Sequence, residues 1–289
     1  MNPYRHLVTE IARLVREGKQ YPLGGFPTPV RAPLAEDAPR ALVFSPHPDD
    51  ECIIGGFALR LLREAGVRVV NVAVTQGSKK ERQAGRWAEL HAACEYLGFD
   101  LVETVPGGLE KINAKTREQD PHHWGEAVAV IAAILARERP AAIFFPHDAD
   151  WNSTHIGTHH LVVDALARQP ADFRCIAIET EFWGAMASPN LTVESTPDDV
   201  AAMMTALSFH VGEVERNPYH LLLPAWLQDN VRRGGELVGG QGGAAPDFSF
   251  CTLYRLREWR DGALHLTYAG GRTLPASAKA GELLSLHAQ

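Results

Sequence analysis

Five short apolar runs restrict this chain more than any other feature. They lie at 41–45 (ALVFS), 67–75 (VRVVNVAVT), 100–104, 141–145 (AAIFF) and 174–180 (RCIAIET). Helical patterns separate them, at about 52–65, 82–97, 122–138 and 158–168. A strand that is apolar without alternation must be covered on both faces. Strands alternating with helices supply that cover, through a mostly parallel sheet. The expectation is a doubly wound, Rossmann-like α/β fold, in which ligands bind beyond the carboxyl ends of the strands. The 289 residues suffice for one large core with an appendage.

The flanks read differently. Residues 1–40 form a charged, amphipathic helix followed by a Pro- and Gly-rich arm, and the main core is expected over 41–215. Residues 216–289 are expected to pack on it as an extension. In that region 219–233 reads as a helix broken near Pro224, and 248–257 with 263–268 as a β-hairpin. The flanks are expected to shape a substrate pocket or an oligomer interface.

Two polar clusters fall at the same end of the expected sheet. The first is Pro46-His47-Pro48-Asp49-Asp50-Glu51, directly after the first strand. Its adjacent carboxylates repel one another, and a cation offsets that repulsion. The second is Pro146-His147-Asp148-Ala149-Asp150, followed by His155 and His159. Those two histidines are four apart and share a face if both are helical. Asn152, Ser153, Thr154 and Thr158 are all suitable N-caps, so the helix start is open by several residues. Two imidazoles facing an imidazole and carboxylates make a mononuclear metal site with room for water. Taken singly, each cluster has an ordinary structural use: acids cap helices, and HxxxH pairs are common on surfaces.

Composition narrows the class. A formal charge of -7 argues against nucleic acid as a partner. No apolar run is long enough to span a bilayer, and the N-terminus lacks a secretory pattern. Cys52, Cys94, Cys175 and Cys251 form no CxxC pair, so neither a zinc ribbon nor a disulfide scaffold is expected. A cytoplasmic enzyme is the expectation. Gly55-Gly56 is not a dinucleotide fingerprint and reads as close helix–sheet packing.

PHPDDE after a first strand resembles the signature of the LmbE/PIG-L family of zinc-dependent N-acetylglucosaminyl deacetylases. Val74-Thr75-Gln76-Gly77 resembles that family's VTxG, and Arg86 to Glu89 with Leu97-Gly98 its RxxE…LG helix. Asp150 with His155 and His159 resembles its Asp…HxxH element, here one residue longer. The segment around Leu207 to His210 resembles its A-L-x-x-H stretch, with Gly212-Glu213 in place of the usual S-Q. The resemblance spans roughly 41 to 215. It implies zinc, or another divalent ion such as iron, held by His47, Asp50 and His159, with His160 as the rival third ligand. It implies Asp49 as general base and His155 as the group stabilising the reacting centre. His210 has a catalytic role in this alignment, and Arg86 is the tentative substrate contact.

The implied reaction is metal-dependent hydrolysis of the acetamide of an N-acetylated amino sugar or its conjugate. Lys79, Lys80 and Arg82 hint at an anionic substrate group. The alternatives are a metal-dependent phosphoesterase and a non-catalytic sugar- or metal-binding protein of the same fold.

Overall fold

Strand β1 (Arg40–Ser45) is buried on both faces, with Ala41, Leu42, Val43 and Phe44 inaccessible to solvent. Its residues alternate between two cores. Ala41 and Val43 join the cluster on one face of the sheet, and Leu42 and Phe44 the cluster on the other. That is why the run shows no alternation of polarity. The computed structural model describes residues 2–288, with side chains through Leu284.

The strands that follow are β2 (Arg68–Ala73), β3 (Asp100–Glu103), β4 (Ala142–Pro146), β5 (Cys175–Thr180), β6 (Leu191–Glu194), β7 (Cys251–Arg260), β8 (Ala263–Leu266) and β9 (Arg272–Leu274). The helices are α1 (Pro3–Gly18), α2 (Gly56–Ala65), α3 (Lys80–Leu97), α4 (Ala114–Gln119), α5 (Pro121–Glu138), α6 (Ser153–Leu166), α7 (Pro197–Leu207), α8 (Val211–Val214) and α9 (Leu223–Leu237). Among the described residues all strands join one sheet, in the order β3-β2-β1-β4-β5-β7-β6-β9, with β8 on β7. The first five are parallel. The fold is therefore the expected α/β type with a mostly parallel central sheet.

The chain leaves β1 towards β2 and β3 on one side, then returns to β4 and β5 on the other. The order reverses between β1 and β4, so the crevice of such a fold lies beyond their carboxyl ends. Both polar clusters begin there, after Ser45 and after Phe145.

The C-terminal region differs from a hairpin laid on the core. Strand β7 lies within the sheet, antiparallel to both β5 and β6, and only β8 completes a hairpin with it. Strands β6 and β9 are too short to show a period in sequence. Pro224 does not break a helix; it stands in the first turn of α9, where its missing N–H costs nothing. Gly55, with φ +83°, and Gly56 lie where a Cβ would strike Thr252 and Ser195, which is the close packing expected of them.

Arg60 ties this region down. It is almost wholly buried in α2, and its guanidinium donates to the carbonyls of Glu194, Leu274, Pro275 and Ala278 as well as to Glu64. Arg60→Met fills similar volume but strands those carbonyls. Chemical denaturation is expected to show a loss of about 2–4 kcal/mol. A loss under about 0.5 kcal/mol would mean that water replaces the guanidinium.

Candidate active site

The His47–Glu51 loop owes its shape to Asp49. Its φ of 116° lies in a region that few residues other than glycine adopt, and it precedes a single 3-10 turn over Asp50–Cys52. Around it the loop is pinned from several sides. Arg86 donates to the Pro48 carbonyl at 2.8 Å, and Thr75 Oγ1 to the Pro46 carbonyl at 2.7 Å. Glu51 Oε2 accepts from the Asp49 amide at 3.0 Å, while its Oε1 meets His210 Nε2 at 2.7 Å. Glu51 therefore holds the loop rather than capping α2. His210 is fully buried behind it. Burial opposes charge on His210, but the Glu51 carboxylate outweighs burial and raises its pKa.

The second element is α6. Asn152 is its N-cap, with Oδ1 accepting from the Thr154 amide at 2.8 Å. That start puts His155 in the first turn, fully buried, and His159 one turn further along the helix. His155 Nε2 lies 3.2 Å from both His47 Nδ1 and Asp50 Oδ2, and the latter two are 3.4 Å apart. Edges of about 3.3–3.4 Å are those of a tetrahedron with bonds of about 2.0–2.1 Å to its centre.

Other features of the trio also suit a divalent cation. Asp50 Oδ1 is buried and has no hydrogen-bond partner. Asp150 Oδ2 lies 3.6 Å from His155 Nδ1, an ion-pair distance that places a carboxylate behind the imidazole without a hydrogen bond to it. Asp150 is itself held by the amides of Asn152, Trp183 and Gly184. Burial opposes charge on His155, yet Asp50 and Asp150 prevail and raise it to about 10. The surroundings thus favour positive charge at this point.

His159 is not brought to the trio. Its Nδ1 faces the Pro146 carbonyl at 3.0 Å and Glu179 at 3.5 Å, and its ring packs on Phe145. Burial lowers its pKa despite Glu179. His160 lies beside His159, half-buried, and is not part of the trio either. The sequence expectation of His159 as third ligand and the geometry of α6 differ by one helical turn. The reason is the cap: a start at Asn152 aims His155, not His159, at Asp50.

Asp49 stands beside the trio. Burial first, and then the adjacent Asp50 carboxylate, raise its pKa to about 7. Tyr219 donates its hydroxyl to Asp49 Oδ2 at 2.6 Å. Nothing in the sequence singled Tyr219 out, because it precedes α9 in an apolar stretch, beyond the segments with recognisable motifs. Of the short basic run, Lys80 is paired with Glu110 at 2.8 Å and Arg82 with Glu213 at 2.9 Å. A cavity of about 480 Å³ opens on His47 and is lined also by Gln83, Arg86, Lys111 and Asn113. All four cysteines are free and buried. Among the described residues no helix is long and apolar enough to cross a membrane.

The chain is similar to known proteins in sequence and in fold. The family model described as PIG-L, GlcNAc-PI de-N-acetylase, matches residues 42–166. A 1D-myo-inositol 2-acetamido-2-deoxy-alpha-D-glucopyranoside deacetylase of Mycolicibacterium gilvum is 28% identical over 156 residues, covering 45% of this chain and 55% of its own. The chain thus spans about half the length of the curated relatives it matches. Among solved structures, the N,N'-diacetylchitobiose deacetylase of Pyrococcus horikoshii superposes with a TM-score of 0.56 at 18% identity, over 86% of this chain and 91% of that one. The 4-carboxy-2-hydroxymuconate hydratase of Pseudomonas putida does so with a TM-score of 0.54 at 17% identity, over 75% and 95%. These two share the fold, and their differing reactions show that the fold does not choose the chemistry. The matched stretch holds both the PHPDDE loop and α6, and residues 42–166 are a domain of the PIG-L/LmbE family.

Proposed function

We propose that this protein is a metal-dependent amide hydrolase that removes the acetyl group from an N-acetylated amino sugar or a conjugate of one. The observation that carries this reading is the buried trio of His47, Asp50 and His155 with the Asp49 carboxylate at its edge. In this reading these three side chains hold a single divalent ion, zinc by preference, since two imidazoles and one carboxylate suit it. When bound, such an ion acts as a Lewis acid towards the amide carbonyl and raises the acidity of water.

The rest of the work falls to the chain's own groups. Asp49 accepts the proton of the attacking water as the C–O bond forms. Tyr219 occupies Oδ2 of Asp49, which leaves Oδ1 as the accepting atom. The Asp49 carboxyl then returns that proton to the amide nitrogen as the C–N bond breaks, because an amine leaves only when protonated. Acetate and a free amine result. Asp150 supplies a negative charge behind His155, 3.6 Å from its Nδ1. His210 and Glu51 act through the Asp49 backbone and are positioning residues in this scheme. Arg86 braces Pro48 while lining the cavity beside His47, so a substrate hydroxyl there lies within its reach.

A panel of N-acetyl amino sugars, their phosphorylated and lipid-linked conjugates, and simple amides tests the proposal with zinc-loaded protein. Release of acetate and amine in equal amounts from acetamido sugars is expected. Hydrolysis of non-sugar amides alone would remove the sugar assignment, and release of phosphate alone would replace the reaction.

A further inference from the structure

A second cavity, of about 280 Å³, lies on the Tyr219 side of the candidate site, away from the polar cavity that opens on His47. Its walls are Ile53, Trp183, Leu207, Tyr219, Leu223 and Trp226, and the polar Asn217 also lines it. The rings form a cluster: Trp183 is 5.4 Å from Tyr219 and 6.3 Å from Trp226 between centroids. All three are only partly buried, so ring surface faces the cavity rather than being used up in the core. The cavity also adjoins the reacting groups. Tyr219 is bonded to Asp49, Ile53 follows the loop of the metal trio, and the Trp183 amide is bonded to Asp150.

Resting on the hydrolase reading above, we propose that this cavity is a subsite for an apolar aryl or alkyl group carried by the acetamido-sugar substrate. The hydroxyl of Tyr219, the polar atom that would otherwise mark this wall for a hydroxylated ligand, is spent on Asp49. What remains, apart from Asn217, is aromatic and aliphatic surface, which gains by excluding water from an apolar group. The volume suits one ring or a short chain. Substrates with an apolar substituent are therefore held by Trp183 and Trp226 while the acetamide lies at Asp49. The cavity that opens on His47, with Arg86 and Lys111, takes the polar part.

The test compares the methyl, phenyl and octyl glycosides of N-acetylglucosamine on zinc-loaded protein, wild type and Trp226→Leu. Binding of phenyl and octyl glucoside, which carry no acetamide, is followed in parallel by tryptophan fluorescence, with methyl glucoside as control. KM is expected to be about tenfold or more lower for the phenyl or octyl glycoside than for the methyl one. The difference is expected to vanish in Trp226→Leu, to return in Trp226→Phe, and to leave zinc content unchanged. Phenyl and octyl glucoside should alter wild-type fluorescence at concentrations where methyl glucoside does not. A preference for phenyl alone assigns an aryl group, and one for octyl alone an alkyl chain. Equal KM values together with no fluorescence response in wild type overturn the subsite, whatever the variant does. Fluorescence binding that requires Trp226, without hydrolysis of any glycoside, upholds the subsite and rejects the hydrolase reading.

Discussion

Replacing Asp49 by Asn is expected to lower kcat about 10²–10⁴-fold while zinc content stays near that of the wild type. The substitution separates basicity from shape. Asn is among the few residues that tolerate a positive φ, so the 116° backbone of this position survives. The Asn amide oxygen still accepts from Tyr219, whose hydroxyl lies 2.6 Å from the present carboxylate. What is lost is the atom that takes and returns the proton. Alanine would remove the Tyr219 bond and relax the loop as well, and so confuse two effects. A kcat within threefold of wild type would show that water attacks without this base. Loss of zinc equal to that of Asp50→Asn would show that Asp49 is a ligand.

His155→Ala is expected to abolish stoichiometric zinc binding, and His159→Ala to retain it. Removing one of three protein ligands from a site with two imidazoles costs at least as much as removing a supporting residue, which lowers affinity about 10–100-fold. His159 faces Pro146 and Glu179 instead, so its loss should appear as lower stability. Elemental analysis after dialysis, with thermal unfolding of both variants, distinguishes the two. Zinc lost only from His159→Ala would restore the assignment that the family motif implies. The sign of the pH dependence follows from the same geometry. His155, raised to about 10 by Asp50 and Asp150 against burial, is protonated at neutral pH without metal. A ligand must be neutral, so binding expels a proton and zinc affinity rises with pH. An affinity flat between about pH 6 and 8 would argue against His155 as a ligand.

Much of this was written in local pattern. Five apolar runs gave five parallel strands within a residue or two; four are buried on both faces, and the edge strand β3 has Asp100 and Glu103 exposed. PHPDDE marked the loop after β1 by its composition alone: adjacent acids between prolines neither continue a strand nor start an ordinary helix. Other features depended on tertiary structure. Strand β7 reads like any hairpin arm, and only its pairing with β5 and β6 makes it part of the main sheet. Tyr219 looks like one more apolar residue until the turn before α9 brings it to Asp49. Most instructive is α6. Its sequence offers four caps and two histidines on one face, and spacing treats His155 and His159 alike. The choice between them rests on where the helix begins relative to β1, and so on which imidazole reaches Asp50. The chain by itself determined the five parallel strands and the two loops that bear the chemistry, since these follow from hydrophobic period and turn composition. The identity of the facing side chains was decided by three-dimensional packing, because a shift of one helical turn preserves every local preference while moving a ligand by about 5–6 Å.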